Sequence, residues 1–238
     1  MAPRYAIYFV PGAETALYRF GSSTLGYDCY TGRAVPFPSD AAPDWPAMVR
    51  EPAVYGFHAT LKAPFRLAPG THERDLLEAV HTFAADQPVV DGGRLMLRAL
   101  GSFIAMVPAV PSRDIDRLAA RCVKEFDSFR TPLTAGERTR RLGAGLTAEQ
   151  IALLDRWGYP YVFDQFRFHI TLTGALDPDR RAAAMSVLTS ALQDYPGATD
   201  LVIDRIVVAR QDDATAPFRV MATVTLGHPV HRPFAYSF

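Results

Sequence analysis

Phe57-His58-Ala59-Thr60-Leu61 and Phe168-His169-Ile170-Thr171-Leu172 are the two stretches on which the fold turns. They agree at four of five positions. Each is followed by the pattern of a helix and then two strands, so the pair reads as an internal duplication. In an extended chain, side chains at i and i+2 share a face. His58, Thr60 and Lys62 then point one way, and Ala59 and Leu61 the other. His169, Thr171 and Thr173 point together, with Ile170 and Leu172 opposed. Each strand so has an apolar face for a core and a polar face that must find water, a partner or a ligand. A pseudo-two-fold relation between the copies brings the two polar faces to one cleft. The expectation is α+β: one domain over residues 1–238, a duplicated bilobal fold of two antiparallel sheets flanking a central cleft, with helices outside.

The rest of the chain supplies elements for that plan. Residues 4–10 read as a strand stopped by Pro11-Gly12. Residues 11–53 are irregular but too aromatic for a linker, and read as an ordered covering segment with room for one short helix. Residues 54–65 read as a strand. Residues 73–85 form an apolar stripe through Leu76, Leu77, Val80, Phe83 and Ala84. A hairpin follows at 94–99 and 102–107. The next helix starts at an N-cap, Ser112, and repeats through Ile115, Leu118, Ala119, Cys122, Val123 and Phe126. Residues 130–146 read as an arginine-bearing loop. Thr147 to Gln150 has the form of a capping box and opens a helix to about Trp157. A strand lies within 161–173, and a helix starts at Asp177-Pro178 and runs to about Asp194. Strands at 201–209 and 218–226 close the chain, and 227–238 is loop-like.

Two histidines and two threonines around one point suit phosphodiester cleavage. One imidazole takes a proton from the nucleophile and the other protonates the leaving oxygen, both near neutral pH. Attack and departure are roughly in line, so acid and base belong on opposite sides of phosphorus, as a two-fold duplication arranges. Threonine hydroxyls donate to the non-bridging oxygens and favour the more charged transition state. The catalytic pair is then His58 and His169, with Thr60 and Thr171 binding phosphate. The near symmetry of the motifs leaves acid and base unassigned. This chemistry calls for no metal and no cofactor.

Composition narrows the partner. Lys+Arg and Asp+Glu each number 25, so the formal charge is zero. That weighs against long nucleic acid, whose backbone demands several basic contacts, and favours a small phosphate ester. It says nothing against a small basic pocket. The chain has only two lysines, Lys62 and Lys124. Two cysteines make no disulfide framework, and Cys122 belongs to an apolar helix face. The N-terminus has no apolar leader segment, and no stretch approaches the length of a membrane span. The expected location is the cytoplasm. Protein partners are left open.

Other residues carry two readings each. Lys62 and Thr173 lie on the motif faces and are further phosphate donors; for Lys62 the alternative is a solvated strand-end lysine. Arg138, Arg140 and Arg141 form either an anion clamp or lid, or a solvated basic loop. Tyr8 and Tyr55 line the pocket or pack in the core. His228 and His231 are three apart, but no acidic or cysteine ligand accompanies them, so a surface loop is the better reading. His72 and His81 have no identifiable role. There is no P-loop, no GxGxxG and no paired CxxC.

The paired FHATL and FHITL motifs resemble the 2H phosphoesterase superfamily, named for two H-x-T/S motifs on a duplicated bilobal fold. The longer context is similar to one branch, the DUF1045 proteins associated with phosphonate metabolism. The matching stretches are RYAIYF, LGYD, YGFHATLKAPFRL, LRALGSFIAMVP, the PL…ERTRR segment and WGYPYVFDQFRFHITLTG, covering nearly the whole chain. The resemblance implies hydrolysis of cyclic phosphates, 2′-5′ ligation or RNA 3′-end trimming, with the motif histidines catalytic and the threonines on phosphate. The branch implies phosphonate breakdown, where a ribose cyclic phosphate fits as substrate. The expectation is a metal-independent phosphodiesterase acting on a small, cyclic phosphate ester. The alternatives are an RNA-end enzyme of the same chemistry and a non-catalytic module that binds a nucleotide or sugar phosphate.

Overall fold

The computed structural model of the chain describes residues 2–143 and 145–227. His228 and His231 lie outside them. In chain order the elements are β1 (Arg4–Phe9), α1 (Ala16–Leu25), β2 (Tyr27–Asp28), β3 (Arg33–Ala34), α2 (Trp45–Ala53), β4 (Ala59–Phe65), α3 (Glu73–Ala85), β5 (Val90–Leu100), β6 (Phe103–Pro108) and α4 (Arg113–Glu125). They continue as α5 (Ala135–Leu142), α6 (Ala148–Trp157), β7 (Ile170–Thr171), α7 (Pro178–Gln193), β8 (Asp200–Ile203), β9 (Arg205–Gln211) and β10 (Arg219–Thr225). Single 3₁₀ turns lie at Asp127–Phe129 and Phe163–Gln165.

The helices begin where local chemistry says they should. An unpaired N–H in the first turn needs an acceptor, and a short polar side chain supplies it. The Ser112 hydroxyl accepts from Ile115 N, Thr147 from Gln150 N, and the Asp177 carboxylate from Arg180 N. The apolar stripe of α4 is buried from Ile115 to Val123. Cys122 is fully buried within it, and burial pushes its thiol up. Residues 11–53 hold two helices and the small β2–β3 hairpin, more structure than one short helix. Residues 130–146 are not a loop throughout: α5 occupies their middle. Its signal is Thr134-Ala135-Gly136-Glu137, a capping box in which Thr134 accepts from Glu137 N and the Glu137 carboxylate accepts from Thr134 N. No α5 residue is buried, so it has no apolar stripe to read.

Eight strands form one antiparallel sheet in the order β10-β9-β1-β4-β7-β6-β5-β8. The two-sheet expectation is therefore replaced by one sheet, joined at its centre where Ala59 of β4 faces Ile170 of β7. Both of these residues are buried. The order is also alike on either side of that join. β1 precedes β4 in sequence and pairs with it; β6 precedes β7 and pairs with it. The strand reached through α3, β5, pairs with β6, and β9, reached through α7 and β8, pairs with β1.

The sheet curls. Residues 201–209 read in sequence as one strand, but the chain breaks at Asp204 and feeds β8 to one edge of the sheet and β9 to the position next to the other edge. Six inter-strand intervals separate those two positions. At roughly 4.8 Å each, a flat sheet would hold them about 29 Å apart. With one residue between them the strand ends lie at most about 7 Å apart, so the two sides of the sheet must bend toward each other. One cluster of buried side chains runs from Tyr5 and Ile7 through Phe57 and Leu61, Leu76 and Ile115, to Leu188, Ile203 and Val208.

Candidate functional site

The central strand pair sets the geometry. One step further along the antiparallel register from Ala59 and Ile170 sets His58 across from Thr171, and Thr60 across from His169. Directly opposed residues have Cβ atoms roughly 4.5–5.5 Å apart. The four polar residues of the two motifs so share one face and are half-buried, while Ala59, Leu61, Ile170 and Leu172 are buried.

Both imidazoles are anchored the same way. Nδ1 of His58 lies 2.9 Å from the Gly56 carbonyl, and Nδ1 of His169 lies 2.8 Å from the Arg167 carbonyl. A carbonyl can only accept, so Nδ1 carries the proton in each neutral ring and Nε2 is the open nitrogen. His58 Nε2 then accepts from the Thr60 hydroxyl at 3.2 Å. The carbonyl two residues upstream is a determinant that the H-x-T pattern alone does not expose. For His58 it depends on Gly56, whose φ of +72° belongs to the left-handed region, and where a Cβ would lie 2.6 Å from Cys29 Cβ. Glycine is needed there on both counts.

His58 is the more enclosed of the two. The Tyr8 ring lies on it with centroids 3.9 Å apart, and the Tyr55 ring is 6.0 Å away. Burial, and then repulsion from His169, push its pKa down to about 4 against the pull of the Gly56 carbonyl. His58 is therefore neutral at neutral pH. His169 has the Phe103 ring 6.1 Å away. A cleft of about 420 Å³ opens along this face, lined by Thr60, Phe103, Tyr159, Tyr161, Arg167 and His169, among others. Such a volume suits a small ligand. His58 and Thr171 do not line it; His58 meets it through Thr60. Part of the cleft wall is Phe163, at φ +53°, a bulky residue held in a conformation that costs energy.

Several of the sequence-assigned residues are placed elsewhere. Tyr8 pairs with Thr60 but Ile7 with Lys62, so a bulge interrupts β4 and breaks the alternation that put Lys62 beside His58. The Lys62 ammonium is instead buried, donating to Val123 O at 3.0 Å and facing Asp127 at 3.4 Å. Burial pushes its pKa down to about 8 against the pull of Asp127. Thr173 is fully buried; its hydroxyl accepts from Ile104 N and donates to Gly174 O, each at 3.0 Å. Neither residue lines the cleft. Tyr55 is exposed and stacks on Phe218 with centroids 5.4 Å apart. Arg138 forms a two-bond pair with Asp155 at 2.6 and 2.9 Å, which ties α5 to α6. Arg140 is exposed. Arg141 lies 5.4 Å from the Tyr159 ring and lines a second, smaller pocket beside the cleft.

The chain is 39% identical over 223 residues to a ribose 1,5-bisphosphate phosphokinase PhnN of Janthinobacterium sp. (strain Marseille), a match covering 90% of this chain and 49% of that protein. It is 32% identical over 223 residues to the protein of the same name from Laribacter hongkongensis (strain HLHK9), covering 94% and 52%. It thus spans about half the length of these curated relatives. A crystal structure of a conserved protein of unknown function from Agrobacterium tumefaciens str. C58 overlays with a TM-score of 0.42 at 13% identity, covering 93% of this chain and 86% of that one. That likeness is too distant to bear on fold or function. The sequence profile described as "protein of unknown function (DUF1045)" matches residues 60–219, from Thr60 of the first motif through the whole of the second, and the chain accordingly belongs to the DUF1045 family.

Proposed function

We propose that the chain is a metal-independent phosphodiesterase that opens a small cyclic phosphate ester by two-histidine acid–base catalysis, on a two-lobed fold of the 2H type. The observation that carries this reading is the cross-strand square of His58, Thr60, His169 and Thr171 at the β4–β7 join, with both Nδ1 atoms tied to backbone carbonyls.

Water attacks phosphorus, and the Nε2 of neutral His58 takes its proton as the new P–O bond forms. The Thr60 and Thr171 hydroxyls donate to the non-bridging oxygens, where charge grows in the transition state. Protonated His169 gives its proton to the leaving oxygen as the old P–O bond breaks. The product is a phosphate monoester with a free hydroxyl. His58 ends protonated and His169 neutral, and exchange with solvent resets them.

A phosphorylated pentose is the substrate class best supported by what is known of relatives, since those matched over half their length are named for ribose 1,5-bisphosphate. Their named kinase activity needs a phosphate-cradling loop, and this chain contains no GxxxxGK[ST] segment. Opening a ribose cyclic phosphate yields a ribose phosphate, which fits beside such a kinase and with a role in phosphonate metabolism.

The test is turnover of ribose cyclic phosphates, 2′,3′-cyclic nucleotides and an oligonucleotide ending in a cyclic phosphate, with chelator present. Wild type is expected to open the ribose esters. His58→Ala and His169→Ala are each expected to lose about 10²–10⁴-fold in kcat. Full activity in either variant would sink the two-histidine mechanism. Binding without turnover would make the chain a sensor instead, and a preference for the oligonucleotide would make it an RNA-end enzyme.

A further inference from the structure

Beside the cleft lies a second pocket of about 40 Å³, walled by Arg4, Lys62, Arg66, Arg130 and Arg141 with one carboxylate, Glu137. That volume holds roughly three water-sized spheres, the scale of one tetrahedral oxyanion. Lys62 and Arg130 share Asp127, and Arg66 pairs with Glu137. Among the described residues Arg4 and Arg141 meet no carboxylate: Arg4 donates to the Gln211 amide oxygen at 2.7 Å, and Arg141 lies over the Tyr159 ring. In a chain of zero net charge, five cations line this one pocket against two paired carboxylates, Asp127 and Glu137, which leaves Arg4 and Arg141 uncompensated.

The pocket adjoins the cleft across a shared wall. Ala63, Val123, Tyr159 and Val162 line both. It is also linked to His58. The Tyr8 hydroxyl is fully buried, has no hydrogen-bond partner, and is kept protonated by burial. Arg4 and Tyr159, two residues of the pocket wall, are among the groups whose charge acts on it, while its ring stacks on His58. A buried O–H donor without an acceptor is costly, and an anion close by would relieve it.

We infer that this pocket, built on Arg4, Arg66, Arg130 and Arg141, is a subsite for a second phosphoryl group, so that the substrate is a cyclic phosphate ester carrying a separate terminal phosphate. The inference rests on the cleft being the reaction site proposed above. The scissile phosphate sits on the motif threonines, and the terminal phosphate reaches past Tyr159 to the arginines. Guanidinium groups suit it because their planar forks bind phosphate oxygens in pairs.

The experiment compares ribose cyclic phosphate with the same ester phosphorylated on its primary hydroxyl. Wild type is expected to prefer the doubly phosphorylated ester in kcat/KM. Arg141→Gln and Arg4→Gln should each cut that preference by roughly tenfold, the scale of one hydrogen bond to a charged group. Equal kcat/KM for the two esters, or a preference indifferent to both arginines, would overturn the subsite while leaving the reaction standing. Binding of ribose 5-phosphate by calorimetry separates the two claims. Glu137→Gln keeps the capping-box geometry and removes the one carboxylate of the wall, so it should tighten binding, a gain that misfolding cannot produce. If neither ester is turned over, the proposed reaction fails, and arginine-dependent binding of ribose 5-phosphate still upholds the subsite; arginine-independent binding, or none, overturns it.

Discussion

His58 is the residue whose environment decides the most. Its ring is gripped by a carbonyl at Nδ1, a hydroxyl at Nε2 and a tyrosine face, and burial then pushes its pKa down to about 4. A base must be unprotonated to act, so the acid limb of kcat/KM should fall near pH 4 rather than near the ordinary histidine value of about 6.5. The same shift bears on stability. Between about pH 6.5 and 4 the unfolded chain binds a proton at this position that the folded chain refuses, so stability declines as pH falls through that window. Urea midpoints measured at several pH values in wild type and His58→Gln check this, and a steeper acid loss in the variant would contradict it. The H-x-T pairs were legible in the sequence because i and i+2 share a face. The anchoring carbonyls and the Tyr8 stack were not, since both depend on how the chain turns at Gly56 and on which strand lies alongside.

At the scale of elements, the junction of β4 and α4 shows how a strand can be turned to another use. Lys62 reaches the C-terminal end of α4 at Val123 O, and Asp127 in the following turn answers its charge. Asp127 also meets Arg130 at 3.0 Å and Arg156 at 3.6 Å. Removing the acid leaves a buried ammonium uncompensated, so Asp127→Ala should destabilise by about 3–5 kcal/mol. Lys62→Met should cost clearly less, because Asp127 keeps two arginines. Urea denaturation of the two variants decides it, and equal losses would argue against the pair. α1 offers a second case. A Cβ at Gly21 would lie 2.1 Å from the Phe57 ring, immediately before His58. Gly21→Ala should cost about 1–3 kcal/mol by overpacking, and should lower kcat as Phe57 moves. An unchanged urea midpoint would show that α1 yields instead. The helices with apolar stripes and caps were readable locally. α5 was not, because it buries nothing, although its capping box stood in the sequence.

For the whole molecule, the sheet is continuous through the pair Ala59 and Ile170, and the cluster of buried side chains crosses that join. The two halves should therefore unfold together. Far- and near-ultraviolet circular dichroism are expected to give one coincident urea transition. Ile170→Ala should shift it as a whole, by about 2–5 kcal/mol. Two separated transitions would mean that the halves are independent. Among the described residues no helix is long and apolar enough to cross a membrane.

The sequence by itself determined the duplicated motif, the alternation that sets His and Thr of each motif on one face, the apolar stripes of α3 and α4, and the caps of α4, α6 and α7. All of these are relations between residues a few positions apart, carried by the strand and helix periods and by first-turn hydrogen bonds. Tertiary structure alone decided that the two motif strands pair directly, that the run 201–209 divides at Asp204 to close a curled sheet, and that Lys62 turns to Asp127. It also gathered Arg4, Arg66, Arg130 and Arg141 from separate elements into one pocket. Strand pairing and charge clustering join residues far apart in the chain, and no local period records which distant segment will lie alongside.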